Sequence, residues 1–241
     1  MKRVEIFVEG ISELIFVRDI LLKIYNFNAT KIYIHCNSLN PRTNHKDLWE
    51  RGTPGAEIHI EITDVVGYTN LLSAIADRRK RLEENKVSLV LGLRDIDSSE
   101  YTEFIRESFT RDESILKVQE GVDKGLSLYD FGMEVKIFYA VLELEAWFLA
   151  LYKVFVQIDS RLTNDYIKSE LGLDLESIDP EKDIEDPCAE IEKVFALVNK
   201  SDDKPRRTTV IVGKITLELV DEVKELKVAR MHEFIDQLKS L

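Results

Sequence analysis

With 241 residues, 44% of them hydrophobic and 32% charged, the chain can bury a sizeable core, and a disordered one is excluded. A net charge of −12 excludes a general nucleic-acid-coating surface. It does not exclude an enzyme that meets phosphate through a divalent cation, because such an ion needs acidic ligands and reverses the local charge.

Residues 3–9 alternate and then turn apolar, as a first strand does. Gly10 follows at once, and Ser12 is placed to N-cap a helix running to about residue 26, with Leu14, Phe16, Val17, Ile20, Leu21 and Ile24 as its apolar stripe. Glu9 thus closes a strand and Glu13 opens a helix one tight turn later. Residues 31–36 form a second strand. Residues 37–55, with two prolines and three asparagines, read as a loop or flap, and residues 57–62 alternate as an edge or half-exposed strand would. A helix is expected over 68–85, ending in the basic run 78–81.

Residues 87–97 are the pivotal strand: a continuous apolar run, typical of a strand buried on both faces, that stops on Asp95 and Asp97. A short helix at 101–109 and an irregular stretch at 110–132 follow, then a strand at 134–141 that runs into a core-facing helix at 143–150. From about residue 158 the pattern is helical, in pieces separated by Gly172, Pro180, Pro187 and the stretch 202–207. The alternation of strands and helices predicts an α/β fold, a Rossmann-like, largely parallel sheet flanked by helices, over residues 1–155. Residues 156–241 are expected to be a mainly helical extension packed on it.

No apolar run reaches the roughly 18 residues of a membrane span and no signal peptide is evident, so no membrane association and a cytoplasmic location are expected. Cys36 and Cys188 lie outside any metal-type spacing and read as reduced thiols.

Three acidic groups fall at the carboxyl ends of separate predicted strands: Glu9 with Glu13, Asp95 with Asp97, and Glu143 with Glu145. In parallel neighbours these converge on one rim, where Mg²⁺ or Mn²⁺ finds the oxygen ligands it prefers. Residues two apart on a strand point the same way, which suits Asp95 and Asp97 to one ion. Glu9 is a candidate ligand or proton shuttle. The bland alternatives are a loop cap for the two aspartates and a dipole-favoured first-turn glutamate for Glu13.

Glu9-Gly-Ile-Ser-Glu13 followed by Asp95-Ile-Asp97 resembles the toprim domain of topoisomerases, primases and OLD-family nucleases. With Glu145-Ala-Trp-Phe-Leu-Ala150 added, the pattern is similar to small stand-alone toprim-like proteins encoded beside ATPases in prokaryotic defence loci. The resemblance implies a nuclease hydrolysing DNA, or RNA as the less favoured choice, with Mg²⁺ or Mn²⁺ held by Glu9, Glu13, Asp95, Asp97 and Glu145. Glu9 is the catalytic glutamate by position, and Lys204, with Lys200 as the alternative, matches the later lysine of the OLD nucleases. An ATPase partner goes with the resemblance, and a homodimer is compatible with it. Where such relatives often carry an aspartate, this chain has Leu151, which bears on the local polar network.

Two competing functions remain open. One is a catalytically silent toprim-like partner or regulator of an ATPase. The other is a restriction-type nuclease using Asp123, Glu134 and Lys136. Glu143 is expected to be a salt-bridged partner rather than a ligand, and Trp147 and Phe148 to be core. The basic run 78–81 reads as a solvated helix face, with phosphate binding as the minority alternative.

Overall fold

The structure, a computed structural model, describes residues 1–40, 47–67, 70–96, 110–200, 203–223 and 227–241, with the side chains of 47 and 48 left aside. Its centre is a six-stranded sheet of β1 (Lys2–Val8), β2 (Ile32–Ser38), β3 (Asp47–Arg51), β4 (Ile58–Asp64), β5 (Leu89–Ile96) and β6 (Glu134–Val141), in the order β3-β2-β4-β1-β5-β6. Every pairing is parallel except β2 with β3.

Helices cover both faces, as parallel sheets require. On the first face lie α1 (Ile11–Ile24), α4 (Leu144–Ala150) and C-terminal helices that include α8 (Pro187–Ala196), α9 (Lys204–Lys214) and α11 (Ala229–Lys239). They share one core with Val4, Ile6 and Val8 of β1 and Leu89, Leu91 and Leu93 of β5. Lys23 Nζ donates to the Val212 carbonyl at 2.8 Å, tying α1 to α9. On the second face, α2 (Leu71–Glu84) packs on Phe7 and Val90, and α3 (Arg111–Leu126) packs on Ile96, Tyr139 and Val141. Between α4 and α8 the chain forms α5 (Lys153–Ile158), α6 (Asn164–Leu171) and α7 (Pro180–Asp183); α10 (Leu217–Val223) precedes α11.

The aromatic centre of the first-face core is Trp147, fully buried, with Phe16 at 5.6 Å and Phe234 at 6.3 Å between ring centroids. A buried indole N–H needs an acceptor. Trp147 Nε1 finds Glu181 Oε1 at 2.9 Å, and Arg230 Nη1 approaches the other Glu181 oxygen at 3.5 Å.

Several expectations are corrected. Residues 110–132 are not irregular: Thr110 and Glu113 form a reciprocal capping box that starts the sixteen-residue α3, with Ile115, Val118 and Val122 as its buried stripe. Part of the expected flap at 37–55 is β3, a short edge strand held by backbone pairing and by Trp49 under the Arg18 guanidinium at 5.1 Å. Of the two readings for residues 57–62, the half-exposed strand holds and the edge does not: β4 lies between β2 and β1, with His59 and Glu61 part-exposed on its second face. Ser12 does not cap α1. Gly10 is the N-cap, and Ser12 sits buried in the first turn, accepting from Thr208 Oγ1 at 3.1 Å. The expected break at 202–207 contains the start of α9, capped by Asp203. The helix expected at 101–109 falls outside the described residues.

Candidate metal centre

The connection leaving β1 through α1 runs to β2 on one side of the sheet, while β5 leads to β6 on the other. In an open α/β sheet, the crevice at such a reversal is where ligands bind. Here the carboxyl ends of β1 and β5 are joined by a side chain: the Asp95 backbone N–H donates to Glu9 Oε1 at 3.0 Å. Three helices also begin at this edge. Glu13 lies in the first turn of α1, Glu145 in the first turn of α4, and Lys204 is the first residue of α9.

Glu9, Gly10, Glu13, Asp95 and Lys204 line one cleft of about 290 Å³. Gly10 brings the turn close to Glu13: a Cβ there would come within 3.1 Å of Glu13 Oε2, and that carboxylate would have to shift by a few tenths of an ångström. Lys204 Nζ donates to Glu143 Oε2 at 3.0 Å. It also stands 3.1 Å from Glu145 Oε2, off the hydrogen-bonding direction, so that this buried oxygen has a charge contact but no hydrogen bond among the described residues. Asp95 is partly exposed as a residue, yet its Oδ1 is buried and has no hydrogen-bond partner among the described residues. Ligand atoms of Glu143, Glu145 and Cys188 lie within 4.8 Å of one another.

The electrostatics follow from crowding acids in a dry place. Burial pushes the Asp95 carboxyl well above its usual range, and the charges of Glu13, Glu9 and Glu145 push further, with Lys204 opposing. Burial also raises Glu13, against its own backbone N–H and Lys204. Glu145 is raised to about 7, by burial and by Glu143 and Glu13, with Lys204 pulling down. For Lys204 itself burial favours the neutral amine, but Glu145, Glu143 and Glu13 outweigh it, and its pKa is raised. Burial is likewise the leading cause of the raised Cys188 thiol.

The donor set fits a hard divalent cation. It is rich in carboxylate oxygens, two buried ones, Asp95 Oδ1 and Glu145 Oε2, lack a hydrogen bond among the described residues, and the repulsion among the acids is what a bound ion relieves. A first-turn glutamate kept only by the helix dipole would stay in water; Glu13 is 4% exposed.

Of the sequence-derived site residues, Glu9, Glu13, Asp95 and Lys204 meet in the cleft, and Glu145 joins them through Lys204. Asp97 lies outside the described residues. Lys200 lies beyond the end of α8, where its charge acts on Asp159. Glu143 is the salt-bridged partner expected of it, but it also belongs to the group with Cys188, which sequence spacing does not flag. Asp64 was not foreseen either: it ends β4, accepts from Ser38 Oγ at 2.7 Å and the Val66 N–H at 2.8 Å, and its charge bears on Glu13. Leu151 is buried in the first-face core, about 9 Å along the helix axis from Glu145, so it takes no direct part in the centre.

Of the restriction-type alternative, Glu134 and Lys136 form a 3.0 Å ion pair, and Lys136 Nζ, facing α11 on the first face, also donates to Gln237 Oε1 at 3.0 Å. Asp123 is exposed on α3, which packs on the second face. No described helix is long and apolar enough to cross a membrane. Compared with protein families, with curated proteins and with solved structures, the chain matches none.

Proposed function

We propose that the protein is a divalent-metal-dependent nuclease, hydrolysing a phosphodiester of DNA or RNA at the carboxyl edge of its sheet. The observation that carries this is the convergence of Glu9, Glu13 and Asp95, from the carboxyl ends of β1 and β5, on one cleft, with Glu145 beside it through Lys204 and with a buried Asp95 oxygen that has no hydrogen-bond partner among the described residues. A bound Mg²⁺ or Mn²⁺ would polarise the scissile phosphate and lower the pKa of a water. Asp95, Glu13 and Glu145 would hold it. Glu9 fixes the Asp95 main chain and so sets the direction of that carboxylate. The Lys204 ammonium, beside the cleft, offsets negative charge that builds on the phosphate oxygens. In the overall step the water oxygen forms the new bond to phosphorus, one ester bond breaks, and the departing oxygen takes up a proton.

Nicking of supercoiled plasmid in Mg²⁺ or Mn²⁺ tests this proposal. Loss of nicking in Asp95→Ala and Glu9→Ala is expected, and unchanged activity in both would overturn it. An ATPase partner in a defence setting is proposed with it, on the toprim resemblance alone.

A second function draws on Lys204, whose ion pairs with Glu143 and Glu145 give the acidic cluster an internal counterion. A silent regulatory partner of an ATPase needs no more than that. Calorimetry separates the two, since a cation that binds the native state must stabilise it. Neither heat nor a shift in melting temperature with Mn²⁺ would favour the silent partner.

A further inference from the structure

The second face of the sheet is covered unevenly. α2 packs on β1 and β5, whereas the α1 contacts of β2 and β4 lie on the first face. The second-face side chains of β2 and β4 are therefore polar and part-exposed: Tyr33, His35 and Asn37 on one strand, His59 and Glu61 on the other. His35, Asn37 and Glu61 floor a cleft of about 370 Å³, and Arg78 and Arg81 of α2 form its wall. Tyr33 and His59 continue the strip beyond it, edge to face with ring centroids 4.7 Å apart.

The charge in this cleft is unequally satisfied. Glu61 Oε1 accepts from Asn37 Nδ2 at 2.6 Å and from Arg81 Nη2 at 2.9 Å, so its anion is already matched. Arg78, among the described residues, makes one long hydrogen bond, from Nη1 to the Ala74 carbonyl at 3.4 Å. A guanidinium carries five N–H donors in a fork that fits a phosphate. Glu5, paired in register with Glu61 across β1 and β4, is raised to about 8 by burial and by Glu61, so it stands uncharged at neutral pH and does not repel an anion.

The cleft opens at the same edge as the acidic centre. Ser38 lines it and bonds Asp64, whose charge acts on Glu13. We propose that this cleft is the path of a single-stranded nucleic acid, with a phosphate held by Arg78 and Arg81 and an unpaired base stacked on the Tyr33–His59 rings. The choice of a nucleic acid as the anion rests on the phosphodiesterase assignment; the choice of a single strand does not. Rings on a sheet surface meet base faces only where those faces are unstacked, and aromatic platforms beside a cationic wall bind single strands on that basis.

Fluorescence anisotropy of a labelled single-stranded oligonucleotide, as DNA and as RNA, against a duplex of equal length tests this in EDTA, which prevents hydrolysis. The single strand, in either sugar, is expected to bind tighter than the duplex. Arg78→Glu should weaken it at least about fivefold and lower the salt dependence by about one counterion. Tyr33→Ala should weaken it about tenfold with little change in salt dependence. Both variants are checked for an unchanged melting temperature and for unchanged Mn²⁺-dependent hydrolysis of bis(4-nitrophenyl) phosphate, a diester too small to use the cleft. Duplex bound as tightly as single strand, or single-strand affinity untouched in both variants, would overturn the inference. Strand binding with these losses but without diester hydrolysis by the native protein would uphold the cleft and remove the nuclease function.

Discussion

Asp95 has a buried oxygen that no group among the described residues satisfies, and burial and three neighbouring acids raise its pKa. Such a carboxylate lowers stability until a cation arrives. Asp95→Asn removes the charge and keeps the shape, so the metal-free protein should melt a few degrees higher, reflecting about 1 kcal/mol, while the stabilisation by Mn²⁺ disappears. Calorimetric melting with and without Mn²⁺ reads both changes, and a metal-free variant that melts lower would contradict this account of the centre. Lys204→Met has the opposite sign. Breaking a buried ion pair leaves uncompensated charge, but Lys204 is 38% exposed, so the cost is discounted to about 1–2 kcal/mol. Mn²⁺ should restore most of it by replacing the lost cation, and equal melting of variant and native protein in EDTA would deny Lys204 its role as counterion. At this scale the sequence was legible where chemistry coincides with an element boundary, as at Glu9, Glu13, Asp95 and Glu145. It was silent on Cys188, which joins the centre only through the packing of α8, and on Asp64, which has the local pattern of any strand end.

At the scale of elements, β1 and β4 place two glutamates side by side, Glu5 against Glu61, with the Glu5 carboxyl buried between them and raised to about 8. In the unfolded chain Glu5 titrates at its ordinary value, so between roughly pH 4.5 and 8 the folded state holds a proton the unfolded one has lost. Stability from this group is thus fully present below pH 4.5 and lost as pH rises through about 8. Glu5→Gln should flatten that decline by about 2 kcal/mol at pH 9, allowing for the proton shared with Glu61, as urea melts across pH 5–9 would show. A slope unchanged by the substitution would place the cause elsewhere. The same strands show why element reading succeeded or failed. β1, β5 and β6 are recognisable because covered strands are nearly continuous in apolar residues. β4 left an edge and a half-exposed strand equally open because polar residues alternate in both, and only the strand order separates them. α3 was missed because Gly121 and Gly125 obscured a three-residue stripe, although Thr110 and Glu113 carried its start in plain spacing.

Across the whole molecule, the boundary expected near residue 155 separates a sheet from helices but does not separate two cores. Val4, Leu91 and Trp147 lie in one cluster with Ile191, Val212 and Phe234. Phe138 of β6 packs on Phe234 at 5.3 Å, and Lys2 Nζ reaches the Leu241 carbonyl at 3.1 Å. The C-terminal helices also supply Lys204 to the acidic centre and, through Glu181, the acceptor for the Trp147 indole. Sequence periodicity marks each helix but carries no information on which face of the sheet it will cover, so this dependence appeared only in three dimensions. A chain ending at residue 155 would expose the outer side of α1 and leave Trp147 without its acceptor, costs that together draw on a stability of only about 5–15 kcal/mol. Residues 1–155 alone should therefore unfold without a cooperative transition and show no Mn²⁺ heat, and residues 156–241 supplied as a separate chain should restore both. A sigmoidal melt with Mn²⁺ binding by the short chain alone would make the sheet an independent unit, and Lys204 an accessory to a centre that forms without it.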